Sequence, residues 1–297
     1  MTALPADPAM AAALRPPAPA GLVRNTLTLA RRELRDAVRS RWFILYTLAF
    51  AGLGLAVSYI SSAGAGGSMS LSTFGRTTAG LVNLVLLVVP LMALTAGAGA
   101  IASDRERGVL TYLLSQPVSR LEVILGKYLG LAGALLACLA LGLGSCAAIM
   151  AWQGQTTGPS SILWLGGLAF ALALGMLSVG MLVSVLARRA SVAVGTAVFL
   201  WLTLVFATDL ALMAGAMAMR LRIEELFALS LLNPLQVFKM WSLHAAEASL
   251  DVLGPAGLYA TEEYGARLHL LFAASLGAWV LIPLASAVAI FSRRSPL

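Results

Sequence analysis

Six apolar runs divide the chain, near residues 42–60, 79–102, 128–151, 162–187, 192–214 and 268–291. Each is long enough to cross the roughly 30 Å hydrocarbon layer of a bilayer. Only Ala187-Arg188-Arg189-Ala190-Ser191 separates the fourth run from the fifth, which predicts a tight antiparallel hairpin. Ahead of the first run, Leu27, Ala30, Leu34, Ala37 and Val38 recur at helical spacing, with Arg24, Arg31, Arg32, Arg35 and Arg39 on the other faces. Residues 22–41 are therefore predicted to form an amphipathic entry helix in the membrane interface, its arginines on anionic headgroups. Residues 1–21 carry Pro5, Pro8, Pro16, Pro17 and Pro19 and lack the basic start and unbroken apolar core of a signal peptide. A disordered Ala/Pro tail is expected there.

The best-patterned polar stretch is 103–127, between the second and third runs. Ser103 with Glu106, and Ser119 with Glu122, both fit the capping box, in which two residues satisfy each other's free backbone N–H groups. Pro117 lies between them and interrupts any continuous helix. The pattern predicts a short helix of roughly ten residues, a kink, and a second helix entering the membrane.

The connection 215–267 is long and largely apolar. Glu224 and Glu225 suit a helix N-terminus, and Asn233-Pro234 breaks the region into two short helices. Each is too short to span and is expected to be re-entrant or interfacial. Gly254-Pro255, Gly257, Gly265 and the pair Glu262-Glu263 predict an exposed loop after them.

Composition agrees with a membrane solvent. The 297 residues are 60% hydrophobic and 11% charged, against about 25% charged in soluble domains. The net charge of +7 is unevenly placed. Fifteen of the twenty Lys/Arg fall in the N-terminal segment, the 103–127 stretch, the 188–191 turn and the C-terminal tail. By the positive-inside rule those segments are cytoplasmic, as are both termini. The charge reports topology, and no nucleic-acid partner is expected.

Catalytic chemistry has little support. Gly126-Lys127 resembles the end of a phosphate-binding loop, but Tyr128 replaces the Ser/Thr and Leu121 stands where the first glycine belongs. His244 and His269 have no metal-ligand spacing, and no cofactor or metal is expected. Asp209, within the fifth run, is expected to face the bundle, a dimer interface or an outer cavity, serving transport or a structural polar contact. Met213, Met217 and Met219 offer soft thioethers near the outer end or plain packing. Gly97, Gly99, Gly126, Gly130 and Gly133 are expected to permit close helix packing, and Pro90 a kink.

The run Glu106-Arg-Gly-Val-Leu-Thr-Tyr-Leu-Leu-Ser-Gln-Pro-Val-Ser-Arg-Leu-Glu-Val-Ile-Leu-Gly-Lys-Tyr-Leu-Gly130 resembles a motif of ABC-2-type transporter permeases, with Val109 where threonine is commoner. The segment Ala30–Trp42 is similar to that family's entry helix. The resemblance implies an all-α, six-span, non-catalytic permease domain over 42–297, driven by a separate cytoplasmic ATPase. A chain without an ATP site must receive work by contact. Arg105, Glu106, Arg107, Gly108, Leu110, Leu113, Leu114 and Pro117 are the expected contact, with a short helix seated in a groove of the ATPase. Leu204–Leu212 and Leu231–Met240 resemble a subgroup that serves copper-site maturation of nitrous oxide reductase. That implies a bacterial inner-membrane homodimer, an ATPase dimer and a periplasmic maturation partner. An exporter of a drug, ion or lipid-like cargo, or a non-transporting scaffold, shares every feature outside that subgroup.

Overall fold

A computed structural model of the chain describes residues 21–63, 71–115, 118–152, 159–207, 210–211, 214, 222–245 and 263–293. Pro117, Asp209, Met213, Met217, Met219 and the proline-rich tail lie outside them. Among the described residues the fold is all-α. The helices are α1 (Leu22–Arg39), α2 (Arg41–Ala63), α3 (Leu71–Glu106), α4 (Val109–Leu114), α5 (Arg120–Trp152) and α6 (Pro159–Leu186). They continue as α7 (Ala190–Leu202), a π turn (Thr203–Ala207), α8 (Ile223–Leu231), α9 (Pro234–Ala245) and α10 (Leu268–Arg293).

The hub is α6, which packs against α3, α5, α7, α9 and α10. It is apolar all round, as a helix buried among others must be, and Ala169, Leu172, Met176, Leu177, Met181 and Val185 are fully buried. Two glycines set its crossing with α3. A Cβ on Gly97 would stand 2.7 Å from the Leu177 carbonyl oxygen, and one on Gly180 would stand 2.5 Å from that of Leu94. Backbone meets backbone there, which only glycine allows. One turn on, the buried Ser184 hydroxyl accepts the N–H groups of Ile101 and Ala102 at 2.9 and 2.8 Å.

Four helices are long and apolar enough to cross a membrane: Ala79–Glu106, Arg120–Ile149, Ile162–Leu186 and Leu268–Arg293. They coincide with four of the six predicted runs. The first run forms α2, which meets that standard only together with α1, as a pair bent by 66°. Ser40 makes the bend, and its hydroxyl accepts the Phe43 N–H at 3.1 Å, capping α2. The fifth run is described continuously only as far as residue 207. Ala190–Phe206 is about 25 Å long at helical rise, and its last turn widens to a π turn. The described residues therefore carry four candidate spans, or five with the bent pair.

The entry helix has a protein partner. It packs along α5, where a Cβ on Gly126 would lie 2.6 Å from Leu29 Cβ and one on Gly130 would lie 2.6 Å from the Ala30 carbonyl oxygen. Its apolar stripe is thereby divided. Leu29, Leu34 and Ala37 face the core, while Leu22, Val23, Leu27 and Val38 remain exposed beside the arginines. Of the other predicted packing glycines, Gly133 makes ordinary contacts and Gly99 borders open space.

Candidate functional site

The expected helix start at Ser103 is not one. Apolar periodicity carries α3 through it to Glu106, and the Ser103 hydroxyl donates back to the Gly99 carbonyl at 2.5 Å. The break comes at Gly108, whose φ of 73° is the left-handed conformation in which helices commonly end. There α4 begins, six residues rather than about ten. The second box forms as its sequence predicts: Ser119 N–H donates to Glu122 at 2.7 Å, and Glu122 N–H donates to the Ser119 hydroxyl at 3.2 Å.

The end of α3 is fixed to the turn joining α6 and α7. The Arg105 guanidinium donates to the carbonyls of Ala187 and Val185, at the C-terminus of α6. The neighbouring Glu106 carboxylate accepts the Ala190 N–H at 3.0 Å, at the N-terminus of α7. A cation at a helix C-terminus and an anion at an N-terminus both complement the helix dipoles. Arg120 does the same for α10, donating to the carbonyls of Phe291 and Ser292 at 3.1 and 3.2 Å. The segments carrying the sequence's positive excess thus meet at one end of the bundle.

Beneath α4 lies a cluster absent from the expected site. Lys127, almost wholly buried, pairs with Asp104 at 2.7 Å and Glu33 at 3.0 Å. Arg107 reaches Asp104 from the rim at 3.5 Å. One lysine on α5 thus ties α1 to the end of α3. The sequence signal was a charged residue at the mouth of an apolar run, where a buried charge needs partners. Its resemblance to a phosphate-binding loop obscured that signal.

The expected contact residues divide into two sets. Leu110 and Leu113, expected on a docking face, are only 4% and 8% exposed and pack inward. Helical spacing puts them on one side of α4 and Thr111 and Tyr112 on the other, and Tyr112 is 67% exposed. Arg105 and Glu106 serve as the mount just described, leaving Arg107, Gly108, Thr111, Tyr112 and Ser115 outward. The side chain of Leu114, like all of Pro117, lies outside the described residues.

The opposite end holds the predicted pair of short helices. The Glu225 carboxylate accepts the Arg222 N–H at 3.0 Å at the start of α8, and the Asn233-Pro234 break separates it from α9. The buried Asn233 amide donates to the Leu204 carbonyl at 2.7 Å, inside the π turn, while its oxygen accepts the Leu235 N–H at 2.9 Å. Trp241 Nε1 donates to His269 Nδ1 at 3.0 Å, and the His244 ring lies 5.0 Å from that of His269. Among the described residues no three His, Cys, Asp or Glu side chains converge as a metal site.

Apolar helices of spanning length packed around α6, with the charged segments gathered at one end, define a multi-pass membrane protein. Residues 27–295 match the family described as "ABC-2 family transporter protein". The chain is 30% identical over 272 residues to the "Probable ABC transporter permease protein NosY" of Stutzerimonas stutzeri, covering 90% of this chain and 97% of that protein. It is 32% identical over 232 residues to the protein of the same name from Pseudomonas aeruginosa, covering 75% and 82%. The chain belongs to the ABC-2 transporter family, as a membrane permease subunit.

Proposed function

We propose that this chain is the six-span permease of an inner-membrane complex in which a dimer of cytoplasmic ATPase subunits works on two copies of it. The end bearing α4 faces the cytoplasm, with both termini. In this reading α2 and α7 supply the two spans beyond the four long helices, and the second copy covers the short, exposed α7. The ATPase receives α4 in a groove, through Arg107, Gly108, Thr111 and Tyr112. Leu110, Leu113, Arg105 and Glu106 hold α4 to the bundle, so that movement at the dock is passed on to α3, α6 and α7. The observation that carries this is the Arg105–Glu106 clamp, set immediately before an outward-facing helix.

The complex serves copper-site maturation of nitrous oxide reductase and works with a periplasmic partner at the end bearing α8 and α9. Two relatives named NosY, each about a third identical over most of this chain, support that assignment. Asp209 and the nearby methionines belong to the path or to its packing in the same scheme. Tyr112→Asp tests the dock in mildly solubilised membranes, with the reductase copper spectrum of complemented cells as the second readout. The ATPase is expected to be lost from the purified complex and the copper signal to fall. Retention of the ATPase would refute the dock, and a normal copper signal without the permease would refute the maturation role.

A further inference from the structure

Between the α1–α2 bend and the last turns of α3 lies a cleft of about 650 Å³, a size typical of small-ligand sites. Its chemistry changes along its length. One end is bordered by Ala37, Thr95, Ala96 and Ala100, with the open Gly99 between them. The other end is charged. Lys127 pairs with both Asp104 and Glu33 and Arg107 adds a second cation to Asp104, so the exposed charged groups are Arg32, Asp36 and Arg107, whose side chains are 60%, 64% and 67% exposed. From Thr95 to Asp104 the trough runs roughly 14 Å along α3. One leaflet of hydrocarbon is about 15 Å deep. Trp42, 74% exposed at the bend, suits the level where headgroups meet acyl chains.

A charged mouth, an apolar stretch of about 7.5 Å from Thr95 to Ala100 and an interfacial tryptophan describe an amphiphile. We propose that the cleft binds one membrane glycerophospholipid, its phosphate on Arg32 and Arg107 and one acyl chain along Thr95–Gly99–Ala100. Each arginine has guanidinium donors beyond its single carboxylate partner, and planar bidentate donation suits phosphate. Asp36, the exposed carboxylate at the mouth, is paired with Arg32 at 3.8 Å. A metal ion finds no free carboxylate on the floor. A soluble anion would leave the trough unfilled. The site shares Arg107 with the proposed ATPase dock, but its test reads lipid bound to the permease alone, independent of whether the dock is correct.

The experiment is native mass spectrometry of the full chain taken from vesicles of phosphatidylethanolamine and phosphatidylglycerol. One phospholipid per chain is expected to survive mild detergent. Arg32→Gln with Arg107→Gln should weaken its retention about tenfold or more, the loss of charge-assisted bonds to one phosphate. Gly99→Leu, which fills the trough from an uncrowded position, should abolish retention while the melting temperature is kept. Equal retention in the parent and both variants would overturn the proposal. Displacement of the lipid by millimolar inorganic phosphate would also overturn it, reassigning the mouth to a free anion. A photo-crosslinker at Thr95 should yield a phospholipid adduct, and a protein adduct instead would show that another chain fills the cleft.

Discussion

Glu106 and Ala190, 84 residues apart, are joined by a 3.0 Å hydrogen bond from the Ala190 N–H to the Glu106 carboxylate, and Arg105 secures the other side of the same turn. Glu106 opens the 106–130 motif and Arg105 adjoins it, and their charges look, from sequence, like partner contacts. Here they serve the mount, which leads to a prediction separating mount from dock. Glu106→Ala, which removes the acceptor of the Ala190 N–H, should leave the ATPase bound, because the outward face of α4 is untouched, yet reduce the coupled activity. An N-terminal cap is worth about 1 kcal/mol, or roughly a fivefold change in the population of the clamped turn. Co-purification with ATPase stimulation would measure both effects. Loss of the ATPase itself would show that Glu106 is part of the dock.

Lys127 should be costly to neutralise. Lys127→Met leaves Asp104 and Glu33 without their shared cation in a largely buried site, and breaking such pairs costs about 3–5 kcal/mol. Expression and melting temperature should both fall. Combining it with Asp104→Asn and Glu33→Gln removes the orphaned charges and should recover much of the loss. A triple variant no better than Lys127→Met would show that the lysine acts through packing.

These two sites show how far the sequence reaches. Spanning helices were legible because twenty or so apolar residues have few other uses, and the Ser119–Glu122 box was legible because capping is local. The Ser103–Glu106 box has the same spacing and failed, since Ser103 lies within a helix already propagating from the membrane and the left-handed Gly108 sets the end. The inward turn of Leu110 and Leu113 was hidden for a related reason. An apolar side on a short helix fits its own bundle as well as a foreign groove, and only tertiary structure distinguishes them. Lys127 with Glu33 joins positions 94 residues apart, a pairing no local pattern encodes.

The α3–α6 crossing offers a sharper comparison, because two glycines two residues apart differ completely in surroundings. Gly97→Ala places a methyl 2.7 Å from the Leu177 carbonyl oxygen and 2.9 Å from the Met181 nitrogen, backbone atoms that cannot move aside singly. The helices must separate, at a cost of about 1–3 kcal/mol, the usual range for overpacking. Gly99→Ala meets nothing within 4 Å and should be neutral, or stabilising by up to about 1 kcal/mol through helix propensity. Thermal melts of the two variants in the same detergent decide the matter. Equal effects would mean that the crossing is looser than its backbone distances indicate.

The end bearing α8 and α9 should respond to acid through His244, on α9. Burial, reinforced by the neighbouring His269, holds its imidazole below the ordinary histidine pKa. His269 offers no relief, since its Nδ1 accepts the Trp241 N–H and the ring faces His244 as a neighbour rather than as an anion. The unfolded chain therefore takes up a proton at a higher pH than the folded one. Stability from this group is intact above about pH 6.5 and declines as the pH falls through and below that value. His244→Gln should flatten the acid side of the melting-temperature profile while leaving its neutral plateau in place. Melts from neutral to mildly acidic pH on parent and variant isolate this group from the carboxylates, which titrate in both. Parallel profiles would show that protonation of His244 is not what loosens the packing of α9 on α10.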